Sequence, residues 1–138
     1  IDRTGVLLGL PFPAGKALDA LASESGPVRG FPVKLNDLTF SLSGMENKVK
    51  ALAEQGEPPA EIARFTLETV ASAVRRATDA ARKHWPGLPV LCSGGVASNR
   101  LLRTVMSDAA FAGPQYSTDN AMGAAILAWR SLRQEAEA

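Results

Sequence analysis

The sequence predicts an α/β fold with a short mixed sheet and several packing helices, on three observations. From Pro59 to Trp85, apolar residues recur at helical spacing. Leu88-Pro89-Val90-Leu91-Cys92 is a short, almost wholly apolar run of the kind found in strands covered on both faces. Ser93-Gly94-Gly95 then turns that run into a second helical pattern, and strand, tight turn and helix in this order are the building unit of α/β proteins.

Taken in order, Ile1, Val6 and Leu7 or Leu8 read as the tail of a helix, and without an initiator Met the chain is expected to begin partway through a longer protein. Pro11-Phe12-Pro13 favours an extended turn, after which Leu18, Leu21 and Ala22 predict a short helix over Gly15 to Ser23. Ser25 to Pro32 is loop chemistry. Val33, Leu35, Leu38, Phe40 and Leu42 alternate with polar residues and predict one or two short strands, followed by a helix from Met45 to Gln55 that Gly56-Glu57-Pro58-Pro59 breaks.

The helix from Pro59 to Trp85 places Ile62, Phe65, Val70, Val74, Ala77, Ala81 and Trp85 on one side, with Glu61, Arg64, Glu68, Arg75, Asp79 and Arg82 elsewhere. At a rise of 1.5 Å per residue it would be about 40 Å long. Pro58 and Pro59 suit its first turn, whose amides lack intrahelical partners, and Pro86-Gly87 ends it. Its charges are of mixed sign, so its polar side reads as a solvated surface rather than an RNA face. After the strand over Leu88–Cys92, the next helix carries Val96, Leu101, Leu102, Val105 and Met106. A second unit is expected from Gly113-Pro114-Gln115-Tyr116 through Ser117-Thr118-Asp119-Asn120 into a helix reaching about Gln134. Ala121, Gly123, Ala124, Ala125 and Ala128 keep that helix slim enough for close approach, and the Glu-Ala tail is expected to fray.

The 138 residues, 46% hydrophobic against 21% charged, supply apolar material for one core and argue against disorder. A net charge of +1 provides no broad field for nucleic acid or a membrane surface, so any RNA contact must be local. The single cysteine, Cys92, excludes an internal disulfide framework and fits a reducing compartment. No apolar run is long enough to cross a bilayer and no signal-peptide pattern opens the chain, so a soluble, cytoplasmic location is expected.

Several residues carry candidate chemistry. Gly94 and Gly95 read either as a tight connection or as a turn that lets a ligand lie over a helix start, where free amides favour anions. Asn99, a helical turn further on, reads as an amide reaching a nucleobase, sugar or phosphate, or as a surface residue. Asp119 lies in a run of capping residues, and capping is its default role; a metal ligand is the alternative. His84 reads as a partner for the C-terminal end of the long helix. Cys92 reads as a small core residue, with no histidine near it in sequence to activate the thiol.

Four blocks in order resemble the TsaD family, long named glycoprotease or O-sialoglycoprotein endopeptidase. They are Leu7-Leu8-Gly9-Leu10 with Pro13-Ala14-Gly15; Phe40-Ser41-Leu42-Ser43-Gly44; Ser93-Gly94-Gly95-Val96-Ala97-Ser98-Asn99-Arg100-Leu101-Leu102-Arg103; and Ser117-Thr118-Asp119-Asn120-Ala121-Met122. The last two are the most specific. The resemblance spans nearly the whole chain and implies that residues 1–138 form a single lobe, the C-terminal one, of the two-lobed fold shared with actin, sugar kinases and chaperone ATPases, an RNase H-like architecture. It further implies a transferase that moves a threonylcarbamoyl group from an adenylate onto an adenosine of tRNA. Asp2 then matches an aspartate at the nucleotide ribose, Gly15 a glycine at the same ligand, Asn99 an asparagine near the adenine, and Gly94 and Gly95 the backbone approaching it. Asp119 matches the metal-binding aspartate. The implied cofactors of a complete protein are a divalent metal, iron or zinc, and the adenine nucleotide or threonylcarbamoyl-adenylate; this chain alone is expected to hold neither. The implied partners are the N-terminal lobe, a TsaB-like protein and tRNA, with no membrane, and exposed apolar surface on the isolated lobe makes a homodimer an expectation.

The resemblance implies that the family's two metal-binding histidines lie in the other half of the protein, so this chain is expected to contribute one metal ligand at most. After Gly44 the family continues with an apolar residue, a Lys and a Thr, whereas Met45-Glu46-Asn47 places an acid where a base is expected and suggests a divergent paralogue. Two readings follow: the ligand-binding lobe of a TsaD-like transferase, inactive in isolation, or a non-catalytic paralogue that serves as an assembly partner. A true protease has no support, because no HExxH motif, catalytic dyad or activated thiol is visible.

Overall fold

In the computed structural model, residues 1–113 and 121–136 are described. The order is α1 (Asp2–Leu7), α2 (Gly15–Ala22), β1 (Leu35–Asn36), β2 (Thr39–Phe40), α3 (Ser43–Glu54), α4 (Pro59–His84), β3 (Leu91–Cys92), a 3-10 turn (Gly95–Ser98), α5 (Arg100–Val105), β4 (Ala110–Phe111) and α6 (Ala121–Ala136). The fold class is α/β, with small sheets and several helices. β1 and β2 form an antiparallel hairpin pairing Leu35 with Phe40, whereas β3 and β4 are parallel and pair Leu91 with Ala110 and Cys92 with Phe111. A parallel pair needs a crossover, which the 3-10 turn and α5 supply.

α4 is the axis on which the rest is assembled, in contact with α1, α2, α3, α5 and the hairpin. Pro58 in an extended conformation and Pro59 at the first helical position start it, and Arg82, Lys83 and His84 face the negative end of its dipole. Three apolar clusters line it. Ala63 and Leu67 meet Leu18 and Ala22 of α2; Ile62 meets Met45 and Val49 of α3; Ala71 meets Leu102 and Met106 beyond. Each fully buried Leu, Ile or Met is worth roughly 1.5–3 kcal/mol of transfer free energy.

The expected one-sided burial of α4 needs correction. Its first half is buried almost all round, including Thr66 and Thr69, while Trp85 at its end is 53% exposed. The two threonines are tolerated because each hydroxyl donates to the carbonyl four residues back, Thr66 to Ile62 and Thr69 to Phe65. The Thr69 hydroxyl also accepts from the Phe31 amide at 2.8 Å, which ties the loop before β1 to the helix.

Other boundaries also move. At the N-terminus the buried residues are Thr4 and Gly5, with Val6 and Leu7 exposed, so α1 is a short helix that packs by its small side. The strand expected over Leu88–Cys92 shrinks to Leu91–Cys92 and is covered on one face only: Leu91 is 71% exposed and Leu88 62%, whereas Cys92 packs against the cluster around Met106. A two-stranded sheet with its packing elements on one side leaves the other open. The helix expected after Gly95 is divided at Asn99, which is extended (φ −64°, ψ 130°) between the 3-10 turn and α5. A further strand lies at Ala110–Phe111, and the second unit expected from Gly113 falls, over residues 114–120, outside the described residues. Residues Gly123 to Ser131 of α6 are all exposed, so among the described residues Gly123, Ala124, Ala125 and Ala128 are not covered by a neighbour. His84 is bonded through Nε2 to Asp37 Oδ1, at 2.8 Å, in the turn of the hairpin. No helix among the described residues is long and apolar enough to cross a membrane.

Candidate nucleotide-binding site

Asp2 and Gly15 meet where α1 packs on the start of α2. The Ala14 amide donates to Asp2 Oδ1 at 2.9 Å, and Ala14 is the residue that caps α2, so this carboxylate takes one of the amides that a helix start leaves without an internal partner. The approach requires a glycine at position 5, because a Cβ there would collide with the Ala14 methyl. Gly15 itself is half-buried next to Ile1.

One turn along α2 from Gly15 lies Asp19, which sequence reasoning passed over. Its Oδ1 accepts from Asn99 Nδ2 at 2.8 Å and from the Arg100 amide at 3.3 Å, while Arg100 Nε donates to Oδ2 at 2.7 Å. Asn99 is only 9% exposed, so the surface alternative for it does not hold. Its Oδ1 accepts from the Leu102 amide at 2.9 Å, capping α5, while Nδ2 reaches Asp19. An amide group has two donor hydrogens and two acceptor lone pairs, so one of each remains for a ligand. Asp2, Gly15 and Asn99 are thus gathered along α2: two through its first residues and one through Asp19.

Gly94 and Gly95 stand five and four residues before Asn99. Gly94 has φ +93°, a conformation that side-chain-bearing residues rarely adopt, and no atom lies within 4 Å of a Cβ built on either glycine. Among the described residues, the turn therefore presents backbone that no side chain covers. Behind it, Ala97 is buried and its amide donates to Gly94 O at 3.0 Å. Asp19 and Arg100 also line an open depression of about 280 Å³ together with Arg64, Leu67, Leu101 and Thr104.

The acid at position 46 is consumed locally. Glu46 pairs with Arg3 at 2.6 Å and Lys50 at 3.2 Å, and the hydrogen bond from Arg3, reinforced by Lys50, holds its carboxyl below the usual carboxylate range. It joins α3 to α1 at the residue next to Asp2. Asp119 lies outside the described residues. Among the described residues no three His, Cys, Asp or Glu side chains are grouped as a metal would require, so those residues do not fit a metal site by themselves. Cys92 is a half-buried free thiol.

The family model for TsaD, tRNA N6-adenosine threonylcarbamoyltransferase, matches residues 1–126. Similar curated proteins bear that same description. One from Thermus thermophilus is 34% identical over 94% of this chain and 42% of its own length. One from Chlorobium chlorochromatii is 33% identical over 92% of this chain and 44% of its own length, and one from Enterococcus faecalis is 34% identical over 78% and 34%. The chain thus spans less than half the length of the curated relatives it matches.

Proposed function

The chain belongs to the TsaD family, and on that premise we propose that it forms the nucleotide-binding lobe of a tRNA-modifying threonylcarbamoyltransferase with an actin-like, RNase H-like architecture. Under this reading residues 1–138 are one lobe of a two-lobed protein. Its work is to bind and orient a threonylcarbamoyl-adenylate whose acyl group passes to a tRNA adenosine, in the cytoplasm and with a TsaB-like partner. The observation that carries it is the Gly94–Gly95 turn, uncovered and in a glycine-only conformation, inside a sequence block that matches the family.

Each residue has a defined share. The turn brings main chain against the ligand without a Cβ in the way. Asn99, held by Asp19, offers its remaining amide hydrogen and lone pair to the base. Asp2, fixed on the Ala14 amide beside Gly15, faces the sugar with its carboxylate. Under this reading the lobe's share is to bind and orient the adenylate. Asp119 is proposed as one carboxylate ligand of a divalent metal whose other ligands come from outside this chain, and no step is assigned to that metal.

The test is the modified nucleoside itself. Cells in which the gene is disrupted should lose N6-threonylcarbamoyladenosine from total tRNA, measured by mass spectrometry, and recover it on complementation. An unchanged nucleoside level would sink the transferase reading. A second reading, an assembly partner without its own chemistry, is favoured by one observation: Glu46 occupies a position where the family carries a base and is locked to Arg3 and Lys50. It predicts loss of the nucleoside on disruption but full recovery with an Asp2→Ala, Asn99→Ala variant.

A further inference from the structure

Among the described residues no side chain packs within 4 Å of a Cβ built on Gly94 or Gly95, so the contacts that hold this turn come from its other side. Two side chains make them. Asn99 ties the turn's exit to Asp19 on α2. The second is Arg103, one turn into α5 and half-buried. Its Nε donates to Ala97 O at 3.1 Å, inside the 3-10 turn, and its Nη2 donates to Ala112 O at 3.3 Å, where the chain leaves β4. The guanidinium lies 4.7 Å above the centre of the Phe111 ring. A planar cation with several fixed donors can bridge two carbonyls and stack on a ring at once; an ammonium group cannot.

We propose that Arg103 is a positioning residue that locks the Gly94–Gly95 turn to the end of β4, so that nucleotide affinity depends on a guanidinium that does not touch the nucleotide. The proposal rests on the functional reading above for its ligand and on the hydrogen bonds alone for the lock. Arg75 provides the control. It donates to Asp108 at 2.9 Å and to Val105 O at 3.3 Å, so it braces the neighbouring α5-to-β4 connection without reaching the turn.

The experiment compares Arg103→Lys with Arg75→Lys in the complete two-lobed protein that the functional reading assumes, by calorimetric titration with AMP and by hydrogen exchange. Arg103→Lys is expected to weaken AMP binding about tenfold, the loss of roughly one charge-assisted hydrogen bond, and to speed exchange over residues 95–98 and 110–112 together. Arg75→Lys should leave AMP affinity within about twofold of the unaltered chain and leave 95–98 protected. Should Arg103→Lys fail to fold, Phe111→Leu removes only the ring beneath the cation and is expected to weaken AMP about threefold. AMP affinity and exchange in the Arg103 variant matching the Arg75 variant would overturn the proposal. An unaltered complete protein that does not bind AMP would overturn the functional reading, and the exchange comparison then decides the lock by itself.

Discussion

Asn99 uses a single amide group to start α5 and to hold α2. Replacing it with alanine removes the cap and a partner of Asp19, and should cost about 1–2 kcal/mol in urea unfolding. Asn99→Asp is the more telling variant. It keeps an oxygen to accept from the Leu102 amide but sets a carboxylate where Nδ2 now lies 2.8 Å from Asp19 Oδ1. Its deficit should be larger at neutral pH than in acid, because two carboxylates in contact repel each other and a proton shared between them relieves the repulsion. A pH-independent deficit would show that the contact with Asp19 is unimportant. Asn99 was legible as a functional type, an amide just after a glycine turn. Asp19 was not, because an acid inside a short helix looks like solvent-facing decoration, and 80 residues separate it from Asn99.

Among the elements, α4 and the connection from α5 to β4 are held by apolar contact on one flank and by ion pairs on the other. Asp108, just before β4, meets Arg82 at 2.6 Å and Arg75 at 2.9 Å. The hydrogen bond from Arg82, with Arg75 alongside, holds the Asp108 carboxyl below its ordinary range. A carboxyl whose folded pKa is depressed stabilises the fold above its unfolded pKa and loses that contribution as pH falls through the folded value. Asp108→Asn should therefore lower the thermal midpoint slightly at pH 7 and approach the parent in acid, once the Asp108 carboxyl is protonated in the folded state; a difference that persists there would assign the effect to packing. The start of α4 was readable from its prolines. The burial of Thr66 and Thr69 was not, since nothing in a threonine's neighbours shows that its hydroxyl will turn back onto its own helix.

At the level of the molecule, the three apolar clusters all touch α4, whereas the described side chains of α6 from Gly123 to Ser131 are exposed, Ile126, Leu127 and Trp129 among them. Deleting residues 121–138 should change the unfolding free energy of the rest by less than about 0.5 kcal/mol, measured by urea titration; a larger loss would mean that α6 packs on the body. Helix identities, the glycine turn and the family itself could all be recognised from residue order, because capping, periodicity and motif spacing act over a few residues. Strand lengths, the open face of β3, the Asp19–Asn99 tie and the Arg103 bridge could not. Each depends on which distant segments come together, and that is set by how apolar faces and backbone hydrogen bonds are satisfied across the whole chain.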